Sequence, residues 1–193
     1  MGVISEHLRE VLPDDVIVTN GAGNFTAWPN RYLTYGRNAR LLAPQNGTMG
    51  YGVPAAIAAK KVLPGATVVC FAGDGDFQMN CQELGSAMQY DALPIILLVN
   101  NGSYGTIRMH QEMHYPDRPS ATEIVNPDYR ALAQAYGMHA EVVETTDAFA
   151  AAFDRARASE TGALLDIRIS LEALTPGRSL SQIRDSAVAA KTT

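Results

Sequence analysis

A chain of 193 residues suits a single domain, because one hydrophobic core serves up to about 250 residues. Its apolar content of 47% and charged content of 18% are typical of a globular protein, and no apolar run approaches the roughly 20 residues of a membrane-spanning helix. The net charge of −5 argues against a nucleic-acid partner, which would need a basic surface. We therefore expect a cytoplasmic protein that contacts neither membrane nor nucleic acid, with Cys70 and Cys81 as reduced thiols.

Strand-like and helical patterns alternate along the chain. Apolar runs rich in β-branched residues predict strands at residues 16–19, 67–72, 95–99, 139–144 and 163–169. Apolar residues at helical spacing predict helices at residues 49–61, 80–90, 127–136 and 146–159. This alternation favours a doubly wound α/β fold, with a mostly parallel sheet and helices on both of its faces.

Three further predictions concern helix ends and loops. Asn80, with Glu83 three positions later, resembles a capping box that would begin a helix at Asn80. Residues 108–125 are polar and include Pro116 and Pro119, so we expect an irregular, mobile loop there. We assign residues 1–177 to the domain and residues 178–193 to a tail that forms a loosely held helix.

Small, glycine-rich motifs lie at the ends of predicted strands or at the turns that follow them. Glycine lets backbone N–H groups approach an anion closely, and ligands of open α/β sheets bind at the carboxyl ends of strands. One motif contains Asp74, whose carboxylate would repel a phosphate unless a cation bridges the two. The pattern therefore indicates a site for a metal ion and a diphosphate. The motifs are Asn20-Gly21-Ala22-Gly23-Asn24, Gln45-Asn46-Gly47-Thr48-Met49-Gly50, Gly73-Asp74-Gly75-Asp76 and Asn100-Asn101-Gly102-Ser103-Tyr104-Gly105.

Asp74 and Asn101 are the candidate metal ligands. Asn101 lies 27 positions after Asp74, and each residue follows an apolar run that reads as a buried strand. Carboxylate and amide oxygens are ligands that Mg²⁺ prefers. Two plainer interpretations remain open, since Asp74 could cap a helix and the Asn101 segment is also a good turn sequence. A dinucleotide site is disfavoured, because Thr26 stands where the glycine-rich fingerprint needs its third glycine.

The GDG motif at residues 73–75 and the NN pair at residues 100–101 together resemble the binding signature of thiamine diphosphate (ThDP) enzymes. The segment GTMGYG at residues 47–52 and the stretch at residues 100–108 resemble acetolactate synthase and benzoylformate decarboxylase sequences. The chain is similar to the C-terminal, diphosphate-binding domain of that group, and the resemblance covers most of its length. It implies that Mg²⁺ binds the side chains of Asp74 and Asn101 and the backbone carbonyl of Ser103.

The resemblance also implies how the cofactor is held. The Gly47 carbonyl would accept a hydrogen bond from the aminopyrimidine ring, and Met49 would wedge between the two rings to enforce a bent cofactor, which gives both residues a catalytic role. Phe25 stands where acetolactate synthases commonly have histidine, so one diphosphate contact is lost or replaced. The implied cofactor-binding residues are Ala22, Gly23, Asn24, Gly47, Thr48, Met49, Gly73, Asp74, Gly75, Asp76, Asn101, Ser103, Tyr104 and Gly105.

One part of such an active site has no match in this chain. The family activates ThDP through a glutamate that lies in a separate pyrimidine-binding domain, normally from a neighbouring subunit. None of the glutamates singled out as candidates falls in a matching motif, so the chain alone is expected to be inactive and to work within a homo-oligomer. The candidates are Glu6, Glu10, Glu83, Glu112 and Glu123.

The expected parent activity is decarboxylation or carboligation of a 2-oxo acid, resembling acetolactate synthase. Two alternatives stay open at this point. The chain could be the separate β subunit of a two-chain decarboxylase of the sulfopyruvate or phosphonopyruvate type, or a non-catalytic domain that only binds the cofactor or a partner.

Overall fold

A six-stranded sheet forms the centre of the computed structural model, which describes residues 1–192. All five pairings between neighbouring strands are parallel, and the strand order is β2-β1-β3-β4-β6-β5. The predicted strands are confirmed with ends shifted by at most one residue, whereas β2 was not predicted because it is three residues long and largely exposed. The strands are β1 Ile17–Asn20, β2 Arg40–Leu42, β3 Val68–Gly73, β4 Ile95–Asn100, β5 His139–Val143 and β6 Ala163–Arg168.

Helices cover both faces of the sheet, which confirms the predicted doubly wound α/β class. They are α1 Gly2–Val11, α2 Ala27–Tyr32, α3 Gly52–Val62, α4 Asp74–Gln78, α5 Leu84–Gln89, α6 Gly105–His114, α7 Tyr129–Ala135, α8 Phe149–Ala158 and α9 Leu180–Thr192. One core contains residues of α3, α4, α5 and α7, and the other contains residues of α1 and α8. Successive residues of β3 and β4 alternate between these two cores, as the period of a strand requires.

Two local predictions are confirmed only in part. Helix α6 occupies residues up to His114 of the segment that was expected to be an irregular loop. The helix predicted from Asn80 is a 3₁₀ turn at Cys81–Glu83 followed by α5, and the Asn80 side chain caps neither. Instead, Asn80 Nδ2 donates to the Gly50 carbonyl at 2.8 Å, because that acceptor lies in the loop just before α3.

The tail contains the expected helix, α9, and this helix packs against α6. Leu180 and Ile183 at its start are buried, and Lys191 in its last turn donates from Nζ to the His114 carbonyl at 2.8 Å, so the helix is held at both ends, more firmly than the sequence indicates. The boundary at residue 177 stays a prediction, and Thr193 lies outside the described residues. Among residues 1–192, no helix is both long and apolar enough to span a membrane.

Candidate functional site

A cleft lies where the order of the strands reverses. Strand β1 pairs with β2 on one side and with β3 on the other, so the chain winds outward in both directions from β1. Loops that leave the carboxyl ends of neighbouring parallel strands separate at such a point and leave a crevice. Twelve of the fourteen predicted cofactor-binding residues line this cleft, and Gly47 and Thr48 do not. The twelve are Ala22, Gly23, Asn24, Met49, Gly73, Asp74, Gly75, Asp76, Asn101, Ser103, Tyr104 and Gly105.

Asp76 joins the loop that follows β1 to the loop that precedes α3. Its Oδ1 accepts from the backbone N–H groups of Ala22 at 3.1 Å and of Gly50 at 2.8 Å. A Cβ atom on Gly21 would lie 1.9 Å from this oxygen, so only glycine fits there. Burial raises the pKa of the Asp76 carboxyl, and the hydrogen bonds from Gly50 and Ala22 oppose that rise. Asp76 is thus bound to backbone on both sides of the cleft.

Asp74 is buried at the first position of α4, directly after β3. Its Oδ2 accepts from Gly102 N–H at 2.8 Å and from Asn126 Nδ2 at 2.7 Å. Its Oδ1 accepts from the N–H of the adjacent Gly75 at 3.1 Å. The bond to Gly102 brings the carboxylate against the loop that leaves β4, as the predicted pairing with Asn101 requires.

The loop after β4 presents the other two predicted metal ligands. Asn101 Oδ1 accepts from Ser103 N–H at 3.0 Å, and the Ser103 carbonyl accepts from Gly105 N–H at 2.8 Å. Ser103 also forms a single antiparallel bridge with Glu123, and its hydroxyl donates to the Thr122 carbonyl at 2.8 Å. This bridge fixes the course of the loop, so its oxygens are held in place by a segment twenty residues further along the chain.

Aromatic rings cover both glycines of the GDG motif. A Cβ on Gly73 would come within 2.8 Å of the Phe25 ring, and one on Gly75 would come within 2.6 Å of the Tyr104 ring. Contacts below 3 Å force a shift of the ring or the backbone. Packing against the two rings therefore favours glycine at both positions, whether or not an anion binds there. Phe25 therefore fills space beside the motif and offers no hydrogen-bond donor there.

The GTMG loop lies on the other side of the cleft. Met49 is half-buried and lines the cleft, whereas Gly47 and Thr48 are exposed. Gly47 and Gly50 have φ values of 70° and 84°, a region that side chains disfavour, so the loop turns at glycine on each side of Met49. Gly50 is held through its N–H by Asp76 and through its carbonyl by Asn80. Met49 is thereby anchored by its neighbour Gly50, whose N–H and carbonyl groups are both hydrogen-bonded.

Comparison with known proteins decides the family. Residues 21–167 match the family described as "Thiamine pyrophosphate enzyme, C-terminal TPP binding domain". The chain belongs to this family. It is 34% identical over 169 residues to the acetolactate synthase isozyme 2 large subunit of Escherichia coli K12, an alignment that covers 86% of this chain and 31% of that protein. It is 35% identical over 158 residues to an acetolactate synthase of Arthrospira platensis, covering 81% of this chain and 27% of that protein.

This thiamine diphosphate-binding domain thus spans less than a third of the length of these two relatives. The matched residues run from the loop after β1 to the end of β6 and include the GTMG, GDG and NN motifs. They leave out Leu174, which lines the cleft from beyond β6.

The oxygens of the domain fit a hard cation that is shared with a diphosphate. Oδ2 of Asp74 is engaged by two donors, whereas Oδ1 accepts from one backbone N–H and retains acceptor capacity. Asn101 Oδ1 and the Ser103 carbonyl each accept one hydrogen bond and also retain capacity. Within residues 1–192 no group of three or more His, Cys, Asp or Glu side chains could hold a metal. A mixed set of carboxylate, amide and carbonyl oxygens suits Mg²⁺.

Several residues of the site were not identified from the sequence. Thr106 Oγ1 accepts from Asn24 N–H at 2.9 Å and ties the loop after β1 to α6. Trp28 stacks on Tyr32 at 6.1 Å between ring centroids, and it also lines the cleft. Asn126 reaches Asp74 from a segment without a motif. No spacing in the sequence points to Thr106 or Asn126, because the course of the intervening loops determines how far each residue lies from the site.

Proposed function

We propose that this chain is the diphosphate- and Mg²⁺-binding half of a ThDP-dependent decarboxylase or carboligase of 2-oxo acids, resembling acetolactate synthase. The observation that carries the proposal is the convergence of Asp74 with the Asn101–Ser103 loop at the carboxyl ends of β3 and β4. The family match and the relatives support the cofactor and the reaction class.

In this proposal the protein holds Mg²⁺ by Asp74 Oδ1, Asn101 Oδ1 and the Ser103 carbonyl. A cation held by these oxygens would neutralise the diphosphate, which the buried Asp74 carboxylate would otherwise repel. Backbone N–H groups of Gly23 and of the first turn of α4 would face the anion, whereas the Ala22 N–H is already donated to Asp76 Oδ1. The Asp76 side chain takes no part in that contact, because its Oδ1 accepts from two backbone donors and a carboxylate cannot donate.

Bound ThDP supplies the electron sink that decarboxylation of a 2-oxo acid needs. The residues of this chain bind, bend and shield it. Met49, which lines the cleft, would support the bent shape. The Gly47 carbonyl, which lies outside the described cleft lining, would accept from the aminopyrimidine ring. Trp28, Ile107 and Leu174 add apolar surface to the cleft wall, which would reduce the access of water to bound ThDP.

We further propose that the chain alone is inactive. The described lining of the cleft contains no glutamate, and Glu112 is engaged with Arg108 at 2.8 Å. A pyrimidine-binding domain or subunit would bring the activating glutamate, within a homo-oligomer. The sequence upstream of residue 1 distinguishes a longer polypeptide from a separate subunit. Two free cysteines, with Cys70 buried, support a reducing, cytoplasmic location.

The test is Asp74→Ala in the complete enzyme, with the exposed Asp147→Ala as the matched control. Loss of the carboxylate removes the metal and should weaken ThDP binding by more than a hundredfold, about 3 kcal/mol. Calorimetric titration of ThDP in the presence of Mg²⁺ measures this change, and circular dichroism checks that the variant is folded. Wild-type affinity in folded Asp74→Ala would refute the proposed site.

A further inference from the structure

A network of amide side chains contacts Asp74, and its members Gln78, Asn100 and Asn126 are not among the residues that line the cleft. At its centre is Asn126, half-buried in the segment between α6 and α7. Asn126 Nδ2 donates to Asp74 Oδ2 at 2.7 Å and to Asn100 Oδ1 at 2.9 Å. Asn126 Oδ1 accepts from Tyr129 Oη at 2.9 Å and from Gln78 Nε2 at 3.0 Å. All four hydrogen-bonding positions of this amide are therefore used.

The chemistry of its neighbours determines which way the Asn126 amide points. An ionised carboxylate can only accept, so the atom that faces Asp74 must be the NH₂ group. The opposite atom then faces Gln78 and Tyr129, both of which can donate. A flipped amide would place two oxygens 2.7 Å apart and would remove the acceptor of one of the two hydrogen bonds that Gln78 Nε2 donates. Asn126 has one favourable orientation here.

The network continues through the sheet. Asn100, at the end of β4, donates from Nδ2 to Asp166 Oδ1 at 2.9 Å, and Asp166 is fully buried in β6. On the other side, the backbone of residues 122–124 pairs with the loop that contains Ser103. Asn126 is therefore held between a strand end and a paired segment, so its position is rigid relative to Asp74.

We infer that Asn126 is a positioning residue for the metal centre, an inference that rests on the proposed function. Together with Gly102 N–H, it occupies Oδ2 of Asp74, so that Oδ1 is the oxygen left to bind the cation. It also fixes the rotamer of Asp74 before the metal arrives. Partners that orient a metal ligand in this way typically contribute a factor of about 10–100 in metal affinity.

The experiment compares wild-type enzyme, Asn126→Ala and the matched control Asn38→Ala, whose side chain is exposed. Free Mn²⁺ is titrated by electron paramagnetic resonance in the presence of ThDP, with the complete enzyme. We expect the Mn²⁺ Kd to rise by about tenfold or more in Asn126→Ala and to stay unchanged in Asn38→Ala. Excess metal should restore ThDP binding to Asn126→Ala, because the remaining ligands are intact.

Thermal unfolding separates this role from a purely structural one. The increase in Tm on adding Mg²⁺ and ThDP should be smaller in Asn126→Ala than in wild type. This expectation does not depend on how the substitution changes the Tm of the metal-free protein, measured in the presence of a chelator. An unchanged Mn²⁺ Kd in a folded variant would overturn the inference. Asn126→Leu, which keeps most of the volume, is the second variant if Asn126→Ala does not fold, and failure of both to fold would also overturn it. Absence of Mn²⁺ binding by wild type would instead refute the proposed function.

Discussion

Replacement of Asp76 by alanine tests whether one carboxylate holds the two sides of the cleft together. The variant loses the acceptor of Ala22 N–H and of Gly50 N–H, and the second of these bonds is buried. A buried donor without a partner costs about 1–3 kcal/mol, and the part-buried Ala22 N–H adds less, so together they cost about 2–5 kcal/mol. Burial raises the pKa of the Asp76 carboxyl, so the fold disfavours the ionised form of this side chain. Replacing Asp76 by alanine removes the unfavourable burial of its charge, which offsets part of the cost of the unpaired donors. We expect Asp76→Ala to lower the free energy of unfolding by about 2–4 kcal/mol at neutral pH.

Asp76→Asn is the matched control for that variant, since it keeps one oxygen acceptor, removes the charge and replaces the other oxygen by an NH₂ group. We expect it to cost less than about 1 kcal/mol. Urea unfolding followed by circular dichroism gives both values, and amide hydrogen exchange at Ala22 and Gly50 should speed up in Asp76→Ala alone. If Asp76→Ala and Asp76→Asn were equally stable, the two hydrogen bonds would contribute nothing, and the reasoning from unpaired donors would be refuted.

Two further predictions concern the cleft and helix α6. Met49→Ala should lower kcat with little change in ThDP affinity, whereas Met49→Leu nearly conserves volume and should be mild; equal turnover of the two variants in steady-state kinetics would make Met49 a packing residue. Burial alone would raise the pKa of Glu112, but hydrogen bonds from Asp117 N–H and Arg108 outweigh it and hold the pKa below its ordinary value of 4.5. Its stabilisation is therefore present above that value and lost as pH falls through the lower folded-state pKa. The stability advantage of wild type over Glu112→Gln should be about 1–3 kcal/mol at pH 7 and should shrink below about pH 4 in urea titrations; a constant difference would contradict the assignment.

The central strands and the cluster of motifs were predictable because they depend on local chemistry. Strands β3 and β4 are buried along their whole length, and such strands read as continuous apolar runs. Their parallel register places Gly73 beside Val99, so the residues that follow both strands must meet. That step needs no knowledge of the loops, and it brings Asp74 to the loop of Asn101.

The rest depended on contacts between segments far apart in sequence. Pro116 and Pro119 suggested a loop from residue 108, yet α6 ends at His114 before either proline, so they limit the helix without preventing it. Asn80 has the composition of a helix cap, but the Gly50 carbonyl competes for its side chain and is the partner it contacts. Local propensity could not predict which group the Asn80 side chain contacts, because the Gly50 carbonyl lies 30 residues away in the sequence.

The two carboxylates of the GDGD motif serve different sides of the site for a geometrical reason. Residues two apart in a helix point about 200° apart, so Asp74 and Asp76 project from opposite sides of α4. Asp74 faces the loop after β4 and Asn126, whereas Asp76 faces the loop after β1 and Gly50. A five-residue helix thereby connects the proposed metal ligands to the loop of Met49. Lengthening the motif by one residue would rotate one carboxylate by about 100° and break one of the two connections, which explains why the motif must be this short.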